Sequence, residues 1–519
     1  MESVQSYRLL QVAEITVVFL LLSNFHATLS KRVLLVPCPV GSHILQANSI
    51  ADGLLARGHE VSAIWNVRGK SKESVMNPKV SLLRYDTGHI PVFADPDYER
   101  KLLSMELEGV DAFPILEELS ERDISECKRM LGNKQLEDAV MKGMFDFVVV
   151  DGIYRCLVIF PDRMKVPFAI YMSFLPADMP HAALQGPLLV HSPFDNMFTD
   201  WEDSFYTKLI RVGVTFLFSE PDVYGEFSNR TTSDIIKNFS LWLYDVSSVF
   251  ETPLPVSPNV IHVGGLNTRV PKPLEDGELK HFMDSSRNGV IIVSFGSFVH
   301  YFPDWLTNIL IDTFSGLPYD IVWKLNKDSI TSGQSLSKNV FAIDWIPQND
   351  ILGHPNTKLF ITHCGNSGQH EALYNQVPML GIPLFGDQVF NAKRLEWLRF
   401  GLYLRPRDLS KDKLSAKIND ILTNKTISEG ISKASHIFHD QLMPPKETAA
   451  YWIEHVMQHG AGHLKSATNE LSWFQILMFD VLLVMCLTVF LTANVLYCFC
   501  RCFLIRCYRQ GAKNKLKTS

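Results

Sequence analysis

Residues 362–373 read Thr-His-Cys-Gly-Asn-Ser-Gly-Gln-His-Glu-Ala-Leu. They follow a short apolar run, Lys358-Leu359-Phe360-Ile361, and lead into a helical pattern. A strand therefore hands over to a helix across two glycines. The start of a helix leaves N–H groups without intrahelical partners and carries the positive end of the helix dipole. Such a point suits an anion, most often a phosphate.

Upstream of this stretch the chain alternates strands with helices. Gly289 to Ser297 reads as a strand and a Gly turn, and Asp320-Ile321-Val322-Trp323-Lys324 is a further strand. A passage with prolines at 253, 255, 258, 271 and 273 reads as an interdomain linker. Before it, Arg32 to Pro37, a helical pattern to about Ala56 and the strand Val61 to Trp65 form one βαβ unit. Phe145 to Asp151 is another apolar strand and ends on an acid. Two α/β domains facing a cleft follow from this pattern. The first strand–helix turn is Pro37-Cys38-Pro39-Val40-Gly41-Ser42-His43. It lacks the GxGxxG fingerprint, which argues against NAD or FAD.

Composition narrows the classes. The chain has 519 residues, 46% of them hydrophobic and 20% charged, enough for a large core. A formal charge of −6 argues against a nucleic-acid partner. Near the N-terminus, the apolar run from Val12 to Leu22 suggests a signal peptide over 1–27. Near the C-terminus, Val481 to Cys500 carries no charge and can span a hydrocarbon core of about 30 Å. Residues 476–500 are thus expected to form one transmembrane helix, and 501–519 a basic cytosolic tail. Lys515 and Lys517 resemble a dilysine retrieval signal; an ordinary stop-transfer tail would look similar.

Of nine cysteines, only Cys38, Cys127, Cys156 and Cys364 lie between these termini, without regular spacing. Neither a disulfide framework nor a CxxC metal knot is indicated. Asn229, Asn238 and Asn424 head N-glycosylation triplets. His363, Cys364 and His370 do not make a zinc set, because adjacent His363 and Cys364 point apart and no fourth ligand is spaced to close a tetrahedron. No metal is expected.

Trp345 to Gln388, WIPQNDILGHPNTKLFITHCGNSGQHEALYNQVPMLGIPLFGDQ, closely resembles the signature of the UDP-glycosyltransferase family, in particular its membrane-bound UDP-glucuronosyltransferases. The likeness extends to Gly41-Ser42-His43, to the strand at 145–151, to Val263-Gly264-Gly265 and to the C-terminal span. It implies a GT-B fold, two Rossmann-like domains with the acceptor on residues 28–270 and the UDP-sugar on residues 271–460. It also implies no bound cofactor, with UDP-glucuronate or UDP-glucose as co-substrate.

The motif assigns roles that suit the side chains. Trp345 offers a face for uracil, and Gln348 an amide for its edge. Thr362, His363, Ser367 and Gly368 lie where the diphosphate is expected, with Ser294, and Ser297 as a second candidate, approaching from the neighbouring loop. Glu371 is placed for the ribose, and Asp387 and Gln388 for the sugar hydroxyls. The likeness makes His43, in the loop after the first strand, the base for an acceptor hydroxyl, and Asp151 its orienting acid. Asp146 is the competing acid, at the other end of the strand. Inversion is implied, with a small lipophilic alcohol or phenol as acceptor, its pocket built around 168–200.

Two positions depart from the family. Ser367 stands where Asn or His is common. Trp242-Leu243-Tyr244-Asp245 replaces a Trp-Leu-Ile-Arg stretch, and an aspartate there would repel glucuronate, which brings UDP-glucose forward. The implied location is the endoplasmic reticulum membrane, single-pass type I, catalytic domains lumenal. A homo- or hetero-oligomer, and an inactive membrane-anchored UDP-sugar-binding protein, stay open.

Overall fold

A computed structural model describes residues 30–173 and 225–517, except 70, 111, 252–255, 300–301, 326–334, 467–470, 472 and 477. The expected signal peptide, and the part of the expected acceptor segment beyond 173, lie outside the described residues.

Thirteen strands are described, in two parallel sheets. The first contains β1 (Arg32–Val36), β2 (Glu60–Asn66), β3 (Ser81–Tyr85), β4 (Phe147–Asp151), β5 (Phe168–Met172), β6 (Leu241–Tyr244) and β7 (Val260–His262), in the order β3-β2-β1-β4-β5-β6-β7. The second contains β8 (Val290–Ser294), β9 (Asp320–Lys324), β10 (Val340–Ile343), β11 (Thr357–Thr362), β12 (Met379–Gly381) and β13 (Gly401–Tyr403), in the order β10-β9-β8-β11-β12-β13.

The continuous apolar runs are explained by burial on both faces. Every residue of β4 and of β8 is buried. Side chains alternate between the faces: Leu34, Val36, Val148 and Val150 enter one core, and Val33, Leu35, Phe147 and Val149 enter the other. In each sheet the strand order reverses once, between β1 and β4 and between β8 and β11. At such a reversal the connecting loops diverge and leave a crevice at the carboxyl ends of the strands. His43 and Asp151 belong to the first crevice, Ser294 and the turn after Thr362 to the second.

The helix Pro445–His459 returns to the first sheet and packs on the helix Gly41–Ala56. Gly53 makes the approach possible, since a Cβ there would meet the Lys446 carbonyl oxygen at 2.5 Å. Ala449, Ala450, Ile453 and Val456 join that core, and Arg57 donates to Glu454 at 2.6 Å. Beyond it, within the helix Phe479–Lys517, the stretch Phe479–Arg509 contains an 18-residue window with a mean hydropathy of 2.3 and is long and apolar enough to cross a membrane. None of its apolar window is buried by the rest of the protein.

The cysteine reading needs correction. Cys127 and Cys156 form a disulfide, with Cα atoms 6.1 Å apart. Cys127 lies on the helix Ala112–Leu131 and Cys156 in the 3-10 segment Gly152–Val158 just after β4. Their pairing depends on how that helix packs over the sheet, which spacing along the chain does not reveal.

Candidate active site between the two sheets

His43 lies in the first turn of the helix Gly41–Ala56, not in the loop before it. Its Nδ1 is 2.8 Å from Oδ2 of Asp151, the last residue of β4. Asp151 is buried, and its carboxylate also accepts the N–H groups of Cys38 at 3.1 Å and Ile153 at 3.0 Å. Burial alone would raise the Asp151 pKa, but the His43 charge and these hydrogen bonds hold it below the usual carboxylate range. Burial alone would lower the His43 pKa. The Asp151 charge and hydrogen bond outweigh that and raise it, with Asp387 and Asp245 adding to the effect. With Nδ1 held by the carboxylate, Nε2 is the ring nitrogen left to take a proton. Asp146 is elsewhere: it accepts from the Arg32 N–H and the Lys31 ammonium at the start of the sheet.

A cavity of about 720 Å³ opens between the two units. Its walls include Pro39, Gly41 and Phe93 on one side and Ser297, Lys324 and Trp345 on the other. The units touch closely here. A Cβ on Gly41 would lie 2.7 Å from Ser297 Oγ and 2.8 Å from its Cβ. Gly41→Ala is therefore expected to push the units apart and lower transfer, by up to about 10²-fold for a displacement near 1 Å. Ser297→Gly in the same chain should restore most of it. Kinetics of the double variant test this, and no recovery would refute the contact as the cause.

At the second crevice, Cys364 adopts a left-handed conformation, φ 66°, which turns the chain sharply out of β11. Gly365 precedes the helix Asn366–Tyr374, and no side chain caps its first turn. The N–H groups of that first turn therefore have no side-chain partner at the carboxyl end of β11. The predicted residues are distributed unevenly around them. Ser294 Oγ is buried and has no hydrogen-bond partner among the described residues. His363 adjoins Gly296, whose absent Cβ would sit 2.6 Å from its Nε2. Burial, and then the Lys324 charge, push the His363 pKa down to about 4, so the ring is neutral. Thr362 is fully buried and accepts the Cys364 N–H at 3.2 Å, so its hydroxyl braces the turn. Gly368 packs against Gln348 and Phe360, and Ser367 Oγ accepts from Asn267 at 3.2 Å.

Trp345 is 54% exposed and presents its ring to the cavity. Gln348 donates to Glu371, whose pKa burial pushes up to about 7. Asp387 accepts from Asn391 at 2.7 Å. The Gln388 side-chain oxygen accepts the N–H groups of Leu384 and Phe385, which shapes the loop beside Asp387. His370 is in the core, its ring against Phe250 at 4.9 Å.

Asp245 is placed differently from the sequence expectation. It is 1% exposed, and its carboxylate accepts the N–H groups of Gly265 at 2.8 Å and Leu266 at 3.2 Å and the Gln46 amide. Burial raises its pKa to about 7. Its side chain thus organises the junction, where its own carbonyl accepts from Asn366 at 2.6 Å, and does not offer an unpaired charge to a sugar. Lys324 is a cavity residue that sequence reasoning missed. The available signal was a lysine ending a strand whose three middle residues, Ile321, Val322 and Trp323, are apolar, at the carboxyl edge where such sheets bind ligands.

Two nucleotide-binding-type α/β units closing on one cleft define a GT-B glycosyltransferase architecture. Solved glycosyltransferases share it: the glycotransferase of kitacinnamycin aligns with TM-score 0.58 at 17% identity, covering 82% of this chain and 99% of its own. The calicheamicin glycosyltransferase CalG4 aligns with TM-score 0.56 at 16% identity, covering 83% and 98%. The model of the family described as "UDP-glucoronosyl and UDP-glucosyl transferase" matches residues 31–516, and the chain belongs to that family. It is 28% identical to UDP-glucuronosyltransferase 1-2 of Rattus norvegicus, over 94% of both chains. It is likewise 28% identical to UDP-glucuronosyltransferase 1A1 of Homo sapiens, over 94% of this chain and 93% of that one. The protein is a hexosyltransferase of the UDP-glycosyltransferase family.

Proposed function

We propose that the chain transfers glucuronate from UDP-glucuronate to a hydroxyl of a small lipophilic acceptor, with inversion. His43 Nε2 takes the acceptor proton as the hydroxyl oxygen bonds to the anomeric carbon. The bond to the diphosphate oxygen breaks on the opposite face, and UDP leaves with the electron pair. Asp151 keeps the proton on Nδ1 and stabilises the imidazolium. Trp345 receives the uracil, Gln348 and Glu371 the uridine polar groups, and Asp387 and Gln388 the sugar. The uncapped first turn at Asn366, together with Ser294 and neutral His363, receives the charge developing on the diphosphate.

The observation that carries this reading is the His43–Asp151 pair at 2.8 Å beside a cleft shared with the second unit. Glucuronate is favoured by the named relatives, and by an Asp245 carboxylate already satisfied within the fold. UDP-glucose is the second reading, because no arginine stands at 245. For the location we propose the endoplasmic reticulum membrane with both α/β units lumenal. The apolar helix, the basic residues after it and the Cys127–Cys156 disulfide, a bond favoured in oxidising compartments, support it.

Microsomes expressing the protein, assayed on a generic phenol with each donor in parallel, test the donor. Turnover with UDP-glucuronate alone is expected. Turnover with UDP-glucose alone would transfer the assignment to glucose. UDP binding without turnover on any acceptor would favour an inactive binding protein.

A further inference from the structure

Lys324 ends β9, beside β8 and therefore at the same crevice as Ser294. Its ammonium donates to the Gly296 carbonyl at 2.7 Å and lies 4.7 Å from the centre of the Trp345 ring. No carboxylate among the described residues forms an ion pair with it. The neighbouring His363 is neutral and contributes no balancing charge. A largely buried cation without an anion is costly to maintain. One of its three N–H donors is used by Gly296, and two are left. The side chain lines the interdomain cavity, so those donors are accessible to a bound molecule.

Three features converge on the space in front of this ammonium. On one side is Trp345, a flat and half-exposed ring. On the other are Gly296 and His363, which abut one another. Beyond His363 is the uncapped helix start at Asn366. An anion joined to a planar base matches all three: the base on the ring, the anion between the ammonium and the helix start.

We infer that Lys324 is a donor-binding residue, supplying a positive charge that holds the diphosphate of the UDP-sugar. The inference rests on the proposed UDP-sugar site. It assigns the lysine to the diphosphate and not to the base. In the reaction its charge offsets the negative charge that gathers on UDP as the glycosidic oxygen departs, and no proton transfer is required of it. Burial pushes its pKa down to about 8, and a bound dianion would restore the full charge.

The test compares UDP with uridine, which keeps the base and ribose and lacks the diphosphate. Calorimetric titrations of the full-length protein in lipid nanodiscs would use wild type, Lys324→Met and Lys324→Arg. Lys324→Met should weaken UDP by about 10- to 100-fold, the range for a hydrogen bond to a charged group. Uridine affinity should be unchanged, and Lys324→Arg should retain most UDP affinity. Equal weakening of UDP and uridine would mean that the lysine only backs the Trp345 ring, and would overturn the inference. So would an unchanged UDP affinity in Lys324→Met, or an equal loss in Lys324→Met and Lys324→Arg. Wild-type protein that binds neither UDP nor uridine would remove the donor-site reading itself, which is a distinguishable result.

Discussion

His43→Ala is expected to reduce kcat/KM by about 10²- to 10⁴-fold, the usual contribution of a positioned general base. UDP affinity should stay at the wild-type level, because the ring belongs to the first α/β unit and the proposed UDP site to the second. Asp151→Asn should lose activity to a similar degree: an amide has one acceptor oxygen, so it cannot accept from the ring and the Cys38 N–H on one side and from the Ile153 N–H on the other, and it carries no charge to stabilise the imidazolium. The pH profile separates a base from a merely structural histidine. In the proposed mechanism the neutral ring is the active form, and the Asp151 carboxylate raises the His43 pKa above its ordinary 6.5. Activity should therefore rise with pH along an acid limb centred above 6.5. In residual Asp151→Asn activity that limb should shift to lower pH. An acid limb that does not respond to Asp151→Asn would refute the pairing as the source of the titration.

The second large effect is expected from the disulfide. Closing a loop of 29 residues between Cys127 and Cys156 restricts the unfolded chain. The chain-entropy model assigns about 3–4 kcal/mol to a loop of that size. The bond also ties the helix Ala112–Leu131 to the segment directly after Asp151. A Cys127→Ala/Cys156→Ala chain should therefore lose thermal stability and inactivate faster at a fixed temperature. Reductant should lower the stability of the wild type and leave the double variant unaffected. Equal sensitivity to reductant in both would show that the bond does not contribute.

Much of the fold was legible because a parallel sheet buried on both faces requires unbroken apolar strands. Arg32 to Val36, Asp320 to Lys324 and the run before Thr362 all declare themselves in this way. The strand-to-helix turn was legible for a different reason. A turn from strand to helix with left-handed backbone leaves its mark in a few adjacent residues, Cys364 to Gly368 here. The roles within that stretch were less legible. Thr362 and Gly368 sit in the motif, yet one braces the turn and the other allows close packing against Phe360. A motif records which residues travel together. It does not record which of them face the ligand.

Sequence by itself determined the alternation of strands and helices, the apolar span, the turn from strand to helix after Thr362 and the family. Each of these is written in neighbouring residues through periodicity, turn chemistry or a contiguous motif. Only the tertiary structure decided contacts set by strand order and helix docking. His43 and Asp151 are 108 residues apart and meet because β1 and β4 are adjacent at the reversal of the sheet. Cys127 reaches Cys156 through helix packing. The helix Pro445–His459 leaves the second unit to cover the first because Gly53 lets two backbones approach. Asp245 turns inward because three N–H groups converge on it, and Lys324 faces the cavity because β9 ends beside β8. A residue's type is local information, but whether its charge is satisfied depends on partners that arrive from distant parts of the chain.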